Sequence, residues 1–397
     1  MNRKYVILTP EIGNMGGAQM YVENKVKYLR ENNWEVCVFY YIYGENYKLP
    51  VLTEFKDNCI HDFLYAFYYI PFYERKKILD VIANKVGSAD EIIVESQLIT
   101  LAYWGELIAE KLGGRHIVNF LEEQVPVLTE KEYDFFRYKL KRWEFMNAGK
   151  WSLKRVFKER LTDELLKYEH SISFQCSNVV DENATYNGSF ADCDYTIISI
   201  GRLDKQYVIP IVEEIKLFAQ QNGEKRINVV FVGGSLDGTK ETMIPQILNE
   251  TNNITCYMLG FTYPVPANIV KMADVAIASA NAVLVTADYG VPTICVDMND
   301  SYAIGVYGYS TQNKHVRKDE PLVPVSALLN DILIESKYPR KAPQTSYNQM
   351  KSEFDHQMDF LNRSKTNVGY FDMNNIHGKV ETIFSNIKWW VHKCLKV

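Results

Sequence analysis

Residues 194–206, Asp-Tyr-Thr-Ile-Ile-Ser-Ile-Gly-Arg-Leu-Asp-Lys-Gln, run from a short β-branched apolar stretch into a glycine and then into two cations three positions apart. The apolar run predicts a buried strand, and Gly201 predicts a tight exit that leaves Arg202 and Lys205 at the strand's carboxyl end. Comparable runs recur downstream near 227–233, 253–259, 274–279 and 293–297, each followed by enough chain for a helix. Upstream they fall near 4–10, 35–41, 91–95, 116–121 and 171–176, before the polar segment Asp181-Glu-Asn-Ala-Thr-Tyr-Asn-Gly-Ser189. Strand alternating with helix is the signature of βαβ units around a parallel sheet. Because the pattern restarts near 191, the expected architecture is α/β with two doubly wound Rossmann-like domains, 1–190 and 191–365, facing a cleft. A last helix within 366–397 is expected to return to the first domain.

Bulk composition narrows the function classes. With 47% hydrophobic and 23% charged residues in 397, the chain can bury real cores, and 44 basic against 49 acidic residues argue against a dedicated nucleic-acid binder. Seven scattered cysteines without a CxxC pair read as reduced thiols rather than a zinc, iron–sulfur or redox site. The longest apolar-aromatic run, Phe63 to Phe72, is about half of the ~20 residues a membrane-spanning helix needs, so any membrane contact is expected to be peripheral on a cytoplasmic protein. No two of the seven histidines have helix-face metal spacing, and no G-x-S-x-G elbow marks a serine hydrolase.

The loops after the strands carry the chemistry. After the first strand come Gly13, Gly16 and Gly17, ahead of an amphipathic helix. Their spacing departs from the dinucleotide G-x-G-x-x-G, but it frees backbone amides at a helix start to meet an anion. In the second half, Arg202 and Lys205 suit a diphosphate, with the guanidinium as a planar fork and the ammonium as a point charge. The next strands end in Val232-Gly233-Gly234-Ser235, Leu259-Gly-Phe261-Thr262 and Ala278-Ser279-Ala-Asn281, so four strand ends supply small, aromatic or hydroxyl groups to one sheet edge.

In order and spacing, GGAQ after the first strand, SIGRLDKQ, VGG, GF, ADVAIAS and YGVPTICVD resemble the GT-B nucleotide-sugar glycosyltransferases. The likeness is nearest to the large retaining family that builds bacterial capsules, O-antigens and related surface polymers. It implies a transferase taking a UDP-, GDP- or dTDP-linked sugar, with Gly16 and Gly17 against the donor diphosphate or the acceptor. Arg202 and Lys205 would hold the diphosphate, Gly233 and Gly234 would line the donor pocket, and Phe261 with Thr262 would border the base. Retention of configuration follows from the resemblance alone. The chain departs from the family pattern in three places. Tyr207 stands where a lysine usually follows the GRL loop, and Val285 stands where the second of two glutamates is expected. Asn119-Phe-Leu-Glu-Glu123 replaces a histidine of the first domain. Ser279, Asn281, Thr286 or Asp288 would then have to hold ribose and sugar. The departures also admit a catalytically degenerate GT-B protein acting as a binding subunit, whereas a sugar-nucleotide epimerase of the same fold finds less support.

Glycosyl transfer builds charge on the leaving diphosphate, so catalysis would rest on electrostatic stabilisation by Arg202, Lys205 and backbone amides, with no cofactor and no metal. The DxD-like pair Asp192 and Asp194 precedes a strand instead of ending one, which disfavours it as a metal site. Glu122 and Glu123 are the candidates for a base facing the acceptor. Between Arg137 and Arg160 stand nine basic and two acidic residues interleaved with aromatic rings. Arg142, Trp143, Lys150, Trp151, Lys154, Arg155 and Lys158 are therefore expected to meet an anionic membrane surface or a lipid-linked acceptor.

Overall fold

The computed structural model describes residues 1–44, 49–121, 127–172, 178–342, 346–363, 368–376, 386–387 and 389–391. Apart from 171–176, the β-branched runs read from the sequence form strands close to their expected limits. They belong to two compact units, one of residues 1–175 with 351–397 and the other of residues 176–350.

In the first unit, β1 (Arg3–Leu8), β2 (Glu35–Phe39), β3 (Glu91–Ser96) and β4 (Arg115–Val118) form a parallel sheet in the order β2-β1-β3-β4. The crossovers run through α1 (Gly17–Glu31), α2 (Phe72–Val86) and α3 (Ile99–Leu112), and parallel sheets of this kind carry helices on both faces, which is why their strands read as continuous apolar runs. Strand alternation sorts β3 into two faces. Ile92, Val94 and Ser96 lie toward α3, and Ile93 and Glu95 lie toward α1. The α3 face holds the large core with Trp104, Tyr103 and the α4 (Glu130–Lys141) residues Phe135 and Phe136.

Each face also buries charge. Toward α1, Lys25 Nζ meets Glu95 Oε2 at 2.5 Å, with Tyr5, Tyr21 and Asn119 hydrogen-bonded to the same carboxylate. Toward α3, Ser96 Oγ, His116 and Glu106 form a chain of 2.8 Å contacts, extended by Lys139 to Glu144. The spacing is that of a Ser-His-acid relay, but all three residues are fully buried and Lys139 holds the same Glu106 oxygen. This is a structural tie between α3, α4, β3 and β4.

In the second unit, β5 (Tyr195–Ile200), β6 (Ile227–Val232), β7 (Ile254–Met258), β8 (Val275–Ala278), β9 (Thr293–Val296) and β10 (Ala303–Val306) lie in the order β7-β6-β5-β8-β9-β10. All pairs are parallel except β9–β10, an antiparallel edge strand that the sequence reading did not contain. The order reverses between β5 and β8, which makes their carboxyl ends the topological switch point.

The division between units falls earlier than the expected residues 190 and 365. Val180–Asp181 pairs with Val265–Pro266, and Asn178 Nδ2 donates to the Thr262 carbonyl at 2.7 Å, which binds the segment before 191 to the second unit. The chain re-enters the first unit along α5 (Ser346–Arg363), ahead of the expected last helix. Phe354 of α5 packs on Tyr21 and Tyr28, and Arg115 donates to the Leu361 carbonyl at 2.7 Å. Most of the expected strand 171–176 and of the expected helix 378–396 lies outside the described residues. Of the latter, Trp389 is buried in the first unit's core.

Candidate functional site

At the carboxyl edge of the second unit's sheet the loops are held together by glycine. Gly201 leaves β5 with φ +149, and its carbonyl lies where a Cβ on Gly233 would stand, only 1.9 Å away. Gly233 in turn bridges to Gly260. A Cβ on Gly234 would meet the Phe261 ring at 2.7 Å and Glu241 Oε1 at 2.9 Å, so the ring lies directly on that glycine. These close approaches bring Arg202, Gly233, Gly234, Phe261 and Thr262 to one place.

Within this cluster the polar groups are already partly engaged. Arg202 Nε sits 3.6 Å from Asp204 Oδ1, and burial pushes the Tyr207 hydroxyl up to about 12 against the opposing charge of Arg202. Lys205 forms no ion pair among the described residues. The Thr262 hydroxyl donates to the carbonyls of Leu259 and Gly260, closing its own turn. The sequence reading missed Glu241. Its carboxylate accepts from the Ser235 amide at 2.7 Å and from the Ser235 hydroxyl, fixing the loop after β6.

Across the switch point, β8 is followed by Ser279, whose hydroxyl is buried with no hydrogen-bond partner among the described residues. Ala280 follows at φ +57 with its amide on the Lys314 carbonyl, 2.6 Å away. Asn281 precedes the short helix Ala282–Ala287 and makes no capping bond to it. Thr286 corrects an expectation. Its fully buried hydroxyl is shared with Thr293 Oγ1 at 2.9 Å and the Val283 carbonyl, so it ties a helix to a strand and is closed to a sugar. Val285, in the place of an expected acid, lies in the apolar core. Burial raises the Asp288 carboxyl to about 6, partly offset by Lys314. Asp192 and Asp194 both engage Arg226, at 2.9 Å from a side-chain nitrogen and 2.7 Å from its amide.

In the first unit, Gly13 has φ +92, and a Cβ there would stand 2.0 Å from the Gly44 carbonyl oxygen. Gly16 is the N-cap of α1 and Gly17 its first residue, without a side-chain cap, so the first N–H groups have no partner inside the helix. Glu11 reaches back into this loop, hydrogen-bonded by Asn14 and by Gln19 at 3.5 Å. Glu122 and Glu123 lie outside the described residues.

The basic-aromatic segment is less uniformly charged than its composition. Arg137, Lys139, Lys141, Arg142 and Arg160 are each paired with a carboxylate. Trp143 stacks on His170 at 5.0 Å. On the helix Lys150–Phe157, Leu153, Val156 and Phe157 face inward, while Lys150, Lys154 and Trp151, 66% exposed, face solvent with Arg155 over the indole at 4.2 Å. Lys158 follows that helix at φ +48.

No family model matches the chain, and no curated protein matches it. Among solved structures it is similar to a glycosyltransferase from Rickettsia africae ESF-5, with a TM-score of 0.56 at 13% identity over 100% of this chain and 99% of that one. It is also similar to Anabaena HepE in complex with UDP, with a TM-score of 0.50 at 11% identity over 97% of this chain and 100% of that one. HepE in complex with UDP-glucose gives the same TM-score and identity over 99% of both chains. The fold is GT-B. In this GT-B chain the glycine-knit edge belongs to the second Rossmann-like unit and the GGAQ helix start to the first.

Proposed function

We propose that the protein is a glycosyltransferase that moves a sugar from a nucleotide-sugar donor to a lipid-linked or growing surface-polysaccharide acceptor. The observation that carries this reading is the convergence of Arg202, Gly233, Gly234, Phe261 and the Ser279 hydroxyl, unpartnered among the described residues, on the switch point of a 3-2-1-4-5-6 sheet, where ligands of open α/β sheets bind. A nucleoside diphosphate suits it, with a guanidinium for the phosphates, glycine backbone open to close approach, and an aromatic edge for the base. As the glycosidic bond to the donor breaks, negative charge grows on the diphosphate. Arg202 and Lys205 would stabilise it without a metal, with Arg202 exchanging Asp204 for phosphate. Retention, a cytoplasmic peripheral location and an anionic membrane contact through Lys150, Trp151, Lys154 and Lys158 are part of the same proposal. Glu122 and Glu123 remain its candidates for work at the acceptor.

The reading is tested by titrating UDP, GDP, dTDP and their sugars against thermal unfolding. One nucleotide family is expected to raise the midpoint, and Arg202→Ala is expected to weaken that binding about tenfold to a hundredfold. If no nucleotide stabilises the fold, the reading fails. The burial of Val285 and Tyr207 favours one alternative, a catalytically degenerate GT-B protein serving as a binding subunit. That alternative predicts nucleotide binding with neither donor hydrolysis nor transfer.

A further inference from the structure

In the second unit, the loop after β6 leads through Gly233, Gly234 and Ser235 into the helix Thr239–Leu248. That helix starts at Gly238 without a side-chain cap, and Glu241 of its first turn reaches back over the loop. Glu241 Oε1 accepts from the Ser235 amide at 2.7 Å, and Oε2 accepts from the Ser235 hydroxyl. The same hydroxyl receives the Lys240 amide at 3.4 Å, which fixes the carboxylate's position. No cation pairs with Glu241 among the described residues.

Gly234 decides what this carboxylate faces. A Cβ there would meet the Phe261 ring at 2.7 Å and Glu241 Oε1 at 2.9 Å, so the glycine leaves a gap with an aromatic edge on one side and a carboxylate oxygen on the other. Oε1 gives one lone pair to the Ser235 amide and keeps a second for another donor. The Gly234 carbonyl also accepts from the Leu203 amide at 3.0 Å, which holds the gap in register with the loop of Arg202. Because β5, β6 and β7 are successive neighbours about 4.8 Å apart, the gap stands one to two strands from Arg202. A nucleotide whose diphosphate meets Arg202 places its base at that distance.

We infer that Glu241 selects a guanine base, so that the donor is a GDP-linked sugar. The inference rests on the transferase reading for the presence of a nucleotide and adds the identity of its base. An ionised carboxylate only accepts hydrogen bonds. Guanine turns two adjacent donors outward, N1–H and the N2 amino group, and both can point at Oε1. Uracil and thymine offer one N–H set between two carbonyl oxygens, and those oxygens would be pressed against the carboxylate. Hydrogen bonds to an ionised group are about twice as strong as neutral ones, and a base that lacks the matching donors leaves the carboxylate dehydrated and unpaired. The larger purine also covers more of the Phe261 ring than a pyrimidine does.

The test measures binding of GDP, inosine diphosphate, UDP and dTDP to the full chain by calorimetry, in the parent and in Glu241→Gln. GDP is expected to bind at least about tenfold tighter than UDP or dTDP. Inosine diphosphate, which lacks only the N2 amino group, is expected to bind severalfold more weakly than GDP. Glu241→Gln keeps an oxygen for the Ser235 amide and removes the charge. It is expected to lose about tenfold in GDP affinity with UDP affinity unchanged, whereas a carboxylate that only holds the loop would weaken every nucleotide alike. If the variant does not fold, the comparison of GDP with inosine diphosphate in the parent decides. UDP or dTDP bound as tightly as GDP, inosine diphosphate bound as tightly as GDP, or parallel losses in the variant overturn this inference and leave the donor reading standing. Binding of none of the four overturns the donor reading and this inference with it.

Discussion

At Gly233 the packing leaves no room for a methyl group, since its Cβ would stand 1.9 Å from the Gly201 carbonyl oxygen and the residue holds φ +148. Both the overlap and the backbone conformation count against any L side chain. Gly233→Ala is therefore expected to lower stability by about 2–5 kcal/mol and to weaken nucleotide binding with it, as the two strand ends move apart. Thermal unfolding with and without nucleotide checks this, and an alanine variant as stable as the parent would show that the loops are not locked together. That glycine was readable from the sequence because a strand run ends on it. Polar residues such as Thr9 and Gln97 were not, because a polar residue closing an apolar run looks like an ordinary strand end, and only the structure shows their side-chain atoms buried and without a partner among the described residues. Thr286 failed in the opposite sense, since a hydroxyl next to a loop motif says nothing about whether a neighbouring strand has already claimed it.

At the scale of elements, the first unit's sheet is fastened to helices on both faces by buried charges, and these set its response to mutation and pH. Removing one partner of a buried ion pair leaves the other uncompensated. Lys25→Met is expected to cost about 3–5 kcal/mol, and Lys25→Met combined with Glu95→Leu much less than the sum of the single changes, which urea unfolding of the cycle measures. On the other face, burial lowers His116 from 6.5 to about 4, and Lys139 with His116 holds Glu106 down to about 2 against the desolvation that would raise it. A histidine depressed in the folded state opposes folding once the unfolded chain can take up its proton, so that stability falls as pH drops from about 6.5 toward 4. Glu106 contributes above its ordinary 4.5, and its contribution is lost between there and about 2. Unfolding midpoints across pH 7 to 4 are expected to decline in the parent and to flatten in His116→Gln, and equally steep profiles would remove the histidine from the account. The strands were legible because parallel sheets bury both faces and read as unbroken apolar runs. The helix Ser346–Arg363 was not, since its buried stripe of Phe354, Gln357, Phe360 and Leu361 is narrow and includes a glutamine, whose place becomes intelligible only beside Lys25.

For the whole molecule, the sequence established two Rossmann-like units, but their charge distribution needed coordinates. Most of the basic excess between Arg137 and Arg160 is answered by carboxylates, some outside that segment, such as Glu130 and Glu164, which a count within the segment misses. The proposed membrane contact therefore narrows to Lys150, Lys154 and Lys158, which form no ion pair among the described residues, with the exposed Trp151 beside them. At about 1 kcal/mol per lysine near an anionic surface, these three supply roughly 3 kcal/mol, or about a hundredfold in partition, and the indole adds interfacial anchoring. Such binding is weak enough to depend on salt, because the Debye length shortens from about 10 Å at 0.1 M to about 3 Å at 1 M. The full chain is thus expected to float with liposomes containing anionic lipid, to float poorly with neutral ones, and to be released by high salt. Charge reversal at all three lysines is expected to cut partition at least a hundredfold, and reversal at the solvent-facing Lys150 and Lys154 alone to leave the thermal midpoint unchanged, whereas Trp151→Ala is expected to weaken partition at every salt concentration. Flotation that ignores both lipid charge and the reversals would move the acceptor-side contact away from this helix.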